Sequence, residues 1–464
     1  MTTPSMRTEK DYLGEVRVPA AAYYGVQTVR AVNNFPISGL RVSPWMVRAA
    51  GCIKKATALT NAAAGRLPEK TAQAIVQAAE EVIAGHLADQ FVVDAFQSGA
   101  GVSFHMNVNE VITNRAIEIL GGARGDYKVV HPNDHVNLGQ STNDVVPTSM
   151  RLACLMLLRE AVPSFRAAAD ALREKSREFA HVVKAGRTHM MDAVPLTLGM
   201  EFGGYACALE RATHAVESAS QHLHFLGIGA SAVGTGVNTF HGYREKVVKQ
   251  LREITELDLH PAPDLFEATQ SMAPFAILSG ALKALALESI RIGNDFRLLS
   301  SGPVTALGEI QLPALQPGSS IMPGKVNPVI PEMMAQVGFQ VVGNDTAVSL
   351  AVQAGQLELN VMMPVIAHNL LQSITILKNA LQCFADKCVR GVTADAARCR
   401  RYAETTPSLA TILDTVCGYQ KASEIVKTSL ATGRTIKEVA LELGYVTPEQ
   451  ADSLLRPEAL MGPE

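Results

Sequence analysis

The sequence predicts an all-α protein organised around long helices packed side by side. Three observations predict it. Aromatic residues supply only 5% of the 464 residues, whereas alanine, leucine and valine are abundant, a balance that favours packed helices over sheets. Apolar residues recur every three or four positions over long stretches: Leu278, Leu282, Leu285, Ile292 and Phe296 form one stripe, with Ser289 filling the missing place. That stripe implies a helix of about thirty residues, and similar lengths fit 146–179, 198–225 and 329–350, longer than ordinary globular helices and suited to a bundle. Alanine, glycine and serine are frequent along these helices, so they can approach closely. A bundle that needs so much burial is expected to assemble with copies of itself.

Taken in order, the chain reads as three domains: 1–140, of loops and shorter helices; 141–392, the long-helix bundle; and 393–464, a small helical domain richer in charge. In the first, 69–84 is an amphipathic helix with Ala72, Ile75, Ala79 and Ile83 on one stripe. Residues 98–116 read as a glycine turn feeding a helix, and 131–149 as a polar loop ending in a helix start. The glycine-rich run 226–238 contains Gly227, Gly229, Gly234 and Gly236, but a helical pattern precedes it. A dinucleotide fingerprint needs a strand there, so the run reads as a turn between helices. Residues 359–377 carry no charge, yet they hold Asn360, Pro364, His368, Asn369 and Gln372, which suits a buried core helix better than a membrane span.

The composition narrows the function classes. A net charge of -3 with no long run of one sign argues against nucleic acid or a membrane as partner. The opening MTTPSMRTEKDYLG lacks the apolar core of a secretory signal. Seven cysteines (Cys52, Cys154, Cys207, Cys383, Cys388, Cys399, Cys417) lie scattered without CxxC spacing, as expected of reduced core thiols in a cytoplasmic protein. No His/Cys/Asp cluster has metal-ligand spacing, and no cofactor is implied.

Three stretches are polar where a helical core should be apolar: Gln140-Ser141-Thr142-Asn143, Gly186-Arg187-Thr188-His189, and the loop 318–328, GSSIMPGKVNP. Pro317, Gly318, Pro323, Gly324 and Pro328 forbid regular structure in the last. Each stretch has a plain structural reading: a helix cap ahead of Asp144, a satisfied histidine, a surface connection. The loop's Ile321, Met322 and Val326 predict that it packs. Together the stretches offer small donors, one imidazole and one ammonium. Lys325 and Asn327 suit a carboxylate, with a serine oxygen within reach of the neighbouring carbon. The set as a whole suits a dicarboxylate.

The text GSSIMPGKVNPVIPE closely resembles the signature of the aspartase/fumarase superfamily, lyases that form fumarate by elimination, and the resemblance extends over nearly the whole chain. It implies a homotetramer around a shared helical core, with active sites shared between subunits and a small dicarboxylate as substrate. It also implies roles. Ser319 matches the base that takes the Cβ proton, from a mobile loop that closes over substrate. Ser141, Thr142 and Ser320 match donors to the β-carboxylate. Asn143, Thr188 and His189 match residues around the departing group, and Lys325 and Asn327 the anchors of the α-carboxylate. His131, Asn133 and Asp134 match an accessory anion site.

YYGVQT, GNDTAV and GQLELNVM lean toward the branch that deaminates L-aspartate reversibly to fumarate and ammonia. The alternatives are the class II fumarase reaction on malate, an ammonia-lyase for an aspartate analogue, and a non-catalytic relative of the kind recruited as lens crystallins. The chain departs from the family pattern at four places. Val102 replaces a threonine that helps hold the β-carboxylate, and His105 stands for asparagine, Met191 for glutamine and Met363 for glutamate.

Overall fold

The computed structural model describes residues 5–461. Residues 1–4 and 462–464, which belong to the N-terminal signal reading and the C-terminal domain reading respectively, lie outside the described residues.

The chain opens with an antiparallel hairpin, β1 (Met6–Asp11) and β2 (Gly14–Pro19). Helices α1 (Val26–Asn34), α2 (Pro44–Ala63), α3 (Glu69–Ala84) and α4 (Val102–Ile119) follow. The predicted 69–84 helix is α3, with Ala72, Ile75 and Ala79 buried. Then come α5 (Thr142–Glu178), a second hairpin of β3 (Val183–Thr188) and β4 (Met191–Thr197), and α6 (Leu198–Ser220). Helices α7 (Tyr243–Thr255), α8 (Leu265–Gln270), α9 (Ala273–Leu299), α10 (Val329–Gln353) and α11 (Met363–Lys387) complete the main body.

The predicted long helices are therefore α5, α6, α9 and α10, of 37, 23, 27 and 25 residues. The β3–β4 hairpin interrupts the long-helix bundle expected over 141–392. Pro195 bars a helix there, and Val183 to Gly186 are buried in succession, with a bulge between Ala185 and Gly186.

The chain divides into two compact units. Unit 1 comprises 1–162, 214–284 and 339–378, and unit 2 comprises 163–213, 285–338 and 379–464. Each of α5, α6, α9, α10 and α11 contributes one segment to each unit. In α5 the division falls at Pro163, which has no N–H for the helical ladder.

In unit 2, Phe202 of α6, Phe296 of α9 and Phe384 of α11 stack around one centre, with Phe202–Phe296 and Phe296–Phe384 centroids 5.3 and 5.2 Å apart. Small residues allow close approach there: a Cβ on Gly338 of α10 would stand 2.4 Å from Ile290 Cγ1 of α9. The C-terminal helices Tyr419–Thr432, Ile436–Glu442 and Pro448–Leu454 enclose a small core of Leu409, Leu413, Ile425 and Val439. Capping boxes at Thr435/Glu438 and Thr447/Gln450 start the last two helices.

In unit 1 the polar residues of the charge-free stretch find partners. Buried Asn360 donates to the Ala351 and Val352 carbonyls at the end of α10 and accepts the Met362 N–H, which sets the start of α11. Among the described residues, α9 alone is long and apolar enough to cross a membrane, but it carries Lys283, paired with Asp345 at 2.6 Å. The cysteines are all free. Cys52, Cys154, Cys388 and Cys399 are buried and Cys383 and Cys417 half-buried, while Cys207 is exposed and departs from the core-thiol expectation.

Candidate active site

Unit 1 holds Val102, Ser141, Thr142 and Asn143; unit 2 holds Thr188, His189, Ser319, Ser320, Lys325 and Asn327.

In unit 1 the site is built on the first turn of α5. Ser141 precedes the helix, and its Oγ accepts the Asn143 N–H at 3.3 Å, while Asp144 Oδ1 accepts the Ser141 N–H at 2.9 Å. The capping reading of this stretch therefore holds for Ser141 and Asp144. Asp144 is buried, and its Oδ2 takes the N–H groups of Gly229 and Ser231 at 3.0 and 2.9 Å. Those bonds show what the glycine-rich run does: it folds its backbone onto α5. Asn143 Nδ2 donates to the Ala232 carbonyl of the same run at 2.7 Å.

Thr142 is half-buried, with its Oγ1 2.8 Å from His105 Nδ1. His105 Nε2 lies 2.9 Å from Lys54 Nζ, which also donates to Asn137 Oδ1 at 2.9 Å and Gln140 Oε1 at 2.8 Å. Lys54 and His105 are both buried. Val102, first residue of α4 and 42% exposed, lies one turn before His105 on the same helix face. A helix N-terminus makes this face attractive to a carboxylate.

Lys54 does not figure in the sequence reading. Its signal is a lysine on the stripe of α2 shared by Val47, Ala50 and Thr57, all buried.

In unit 2, residues 312–328 form no helix or strand. Gly318 N–H donates to the Lys325 carbonyl at 2.8 Å, and Asn327 Nδ2 to the Gly318 carbonyl at 2.7 Å, closing the loop on itself. Lys325 Nζ donates to Asn327 Oδ1. Inside the closed loop, Ser319 Oγ receives the N–H groups of Met322 at 3.0 Å and Ile321 at 3.2 Å. The loop borders a cleft of about 1050 Å³ whose lining includes Lys325, Asn327, Glu332 and Arg398.

The expectation that this loop packs is not met in the single chain. Ile321 is 83% exposed, and Met322 and Val326 are about half exposed. The loop is held by its own backbone rather than by burial.

Thr188 and His189 occupy the tip of the β3–β4 hairpin. Thr188 pairs with Met191, so His189 and Met190 form a two-residue turn with φ of 54° and 63°. Two consecutive left-handed residues define a type I′ turn, here without glycine. Both site residues are exposed at the tip. Beneath it, buried Glu309 pairs with Lys184 at 3.0 Å and Arg187 at 2.9 Å, fixing the strand that carries them.

Comparison with known proteins matches the chain to a family. Residues 14–343 match the family described as lyase, and residues 409–462 the fumarase C C-terminus. The aspartate ammonia-lyase of Bacillus subtilis is 46% identical over 98% of this chain and 96% of its own length. The chain belongs to the aspartase/fumarase superfamily of lyases.

The class II fumarate hydratase of Thermosynechococcus vestitus is also 46% identical, over 100% of this chain and 99% of its own. Among solved structures, a fumarate lyase:delta crystallin from Brucella melitensis, bound to cobalt, superposes with a TM-score of 0.96 at 46% identity, covering 99% of this chain and 100% of its own. The helical aspartase/fumarase fold expected from the sequence is thus the fold of this chain, and the protein is an enzyme of the lyase class. Within that superfamily, identity alone does not separate the two reactions, because both relatives stand at 46%.

Proposed function

We propose that the protein is a carbon–nitrogen lyase that interconverts L-aspartate with fumarate and ammonia by anti elimination. The observation that carries this reading is the pair of backbone N–H groups on Ser319 Oγ. A serine hydroxyl is a poor base because its oxyanion is unstable in water. Two fixed N–H donors and a nearby ammonium, Lys325, lower the energy of that oxyanion.

In the proposed step, Ser319 Oγ, as the oxyanion those donors stabilise, takes the proton from Cβ and becomes the hydroxyl. The electron pair moves into the β-carboxylate, which becomes a doubly charged aci-carboxylate. Ser141, Thr142 and Ser320 donate to it, and each well-placed donor lowers the barrier by roughly 3–4 kcal/mol. The pair then returns to form the Cα–Cβ double bond as the Cα–N bond breaks and ammonia leaves. Lys325 and Asn327 hold the α-carboxylate, while Asn143, Thr188 and His189 surround the departing nitrogen. No metal or cofactor takes part in this scheme.

Exposed apolar side chains support assembly with copies of this chain. Phe339 and Leu350 on α10 are 63% and 61% exposed, and Ile277 and Leu287 on α9 and Met200 on α6 are each about half exposed. Burying them requires a partner of matching helical face. We read the assembly as a homotetramer whose active sites draw residues from neighbouring subunits, and the free thiols suit the reducing cytoplasm.

One test is the ultraviolet absorbance of fumarate, followed on purified protein given L-aspartate and then L-malate. The proposal expects a rise with aspartate. A rise with malate alone would assign the class II fumarase reaction, which the equal identity to the Thermosynechococcus enzyme keeps as the second reading. Silence with both would favour an aspartate analogue or a non-catalytic role.

A further inference from the structure

The buried row Lys54–His105–Thr142 lies behind the proposed β-carboxylate site, and its hydrogen bonds admit a strict count. Lys54 Nζ has three neighbours within hydrogen-bonding distance: Asn137 Oδ1 at 2.9 Å, Gln140 Oε1 at 2.8 Å and His105 Nε2 at 2.9 Å. The two amide oxygens only accept. As an ammonium Lys54 has three N–H groups and no lone pair, and its third N–H then goes to His105 Nε2. That nitrogen is then an acceptor, and the single proton of the neutral ring sits on Nδ1. Nδ1–H points at Thr142 Oγ1 at 2.8 Å and satisfies that oxygen as acceptor. The hydroxyl proton of Thr142 is left free, on a half-buried side chain at the start of α5.

The opposite arrangement has the opposite consequence. With Nε2 protonated, Nδ1 would accept the Thr142 proton, and the hydroxyl would turn only lone pairs toward a carboxylate. The surroundings bear on which arrangement holds. Burial and the adjacent Lys54 keep His105 well below the ordinary histidine range, so the ring carries one proton. Burial holds Lys54 well below the ordinary lysine range, and the carboxylate of Asp144, on the same turn of α5 as Thr142, opposes that fall. The first arrangement is that of the ammonium form, and a neutral amine would give the opposite one.

We propose that His105 is a positioning residue: anchored by Lys54 in its Nδ1–H form, it forces the Thr142 hydroxyl to donate to the bound dicarboxylate. The inference rests on the proposed function only in that the ligand is a dicarboxylate. It gives the asparagine-to-histidine departure at 105 a chemical meaning. An asparagine amide carries one acceptor and one donor and can pass the same polarity from Lys54 to Thr142.

Two measurements on the full-length protein test it. Nitrogen-15 spectra of histidine-labelled protein, with His105 assigned by its loss in His105→Asn, are expected to show a protonated Nδ1 and an unprotonated Nε2. The reverse pattern overturns the inference, and it is read on the wild-type protein. Calorimetric titration with succinate, a dicarboxylate that cannot eliminate, supplies the second. His105→Leu is expected to weaken succinate binding about tenfold to a hundredfold, and His105→Asn to stay within about threefold of wild type. In a Thr142→Val background, His105→Leu should cost nothing further. Equal losses with and without Thr142→Val overturn the inference, as does unchanged affinity in Thr142→Val alone. The expected succinate pattern without fumarate from aspartate supports the inference and removes the proposed reaction.

Discussion

Met322 presents its backbone N–H to Ser319 Oγ at 3.0 Å. The bond exists because the loop from 318 to 327 is closed at its base, where Gly318 meets Lys325 and Asn327. A Cβ on Gly318 would lie 2.7 Å from the Lys325 carbonyl oxygen and 2.9 Å from the Asn327 nitrogen. Gly318→Ala must therefore open the base and shift both the serine and the carboxylate anchors. A misplacement of about 1 Å in a reacting group costs on the order of a hundredfold in rate. We predict a fall of that size in kcat/KM, measured by fumarate formation, with Tm nearly unchanged because the loop is exposed.

Glu309 is fully buried between Lys184 and Arg187. Removing the carboxylate leaves Lys184, itself buried, with Glu201 as its remaining ion-pair partner. Glu309→Ala is predicted to destabilise the protein by about 3–5 kcal/mol, read from urea unfolding. Because Arg187 adjoins Thr188 and His189, its loss of support should also lower activity in the fraction that remains folded.

Val102 stands one helical turn before His105 and has no donor to offer a carboxylate. Restoring a hydroxyl with Val102→Thr adds a hydrogen bond to a charged group, worth about 1.5–3 kcal/mol when well aligned. The expected outcome is a lower KM for L-aspartate with little change in stability, checked by steady-state kinetics and thermal melting.

Asp94 provides a pH test of the fold in unit 1. Burial opposes its ionisation, but the N–H groups of Phe96, Ser38 and Gly39 and the Ser38 hydroxyl all donate to it and hold its pKa at about 2. The unfolded chain would titrate near 3.9. A folded value below the unfolded one gives stability that is full above about pH 4 and is lost as pH falls toward about 2. Asp94→Asn is therefore predicted to be less stable than wild type at neutral pH, with the gap closing between about pH 4 and 2 in acid-unfolding curves.

Much of this was legible in the sequence, and the exceptions share a cause. The stripe from Leu278 to Phe296 identified α9 because its period persists over many turns, and Gly318, Pro323, Gly324 and Pro328 left the serine loop no regular structure. The β3–β4 hairpin escaped because His189 and Met190 take left-handed backbone without the glycine that usually signals such a turn. Lys54 escaped because its meaning lies in Asn137 and Gln140, more than eighty positions along the chain. Ile321, Met322 and Val326 are exposed in the single chain because apolarity in a loop does not by itself supply a partner within that chain.

The central claim is that Ser319 Oγ removes the Cβ proton of aspartate. Its most direct test measures fumarate formation from L-aspartate by Ser319→Ala beside the wild type, with succinate affinity determined on the same samples. The account predicts that the variant binds succinate with near-wild-type affinity and forms no fumarate. Undiminished fumarate formation by the variant would contradict it.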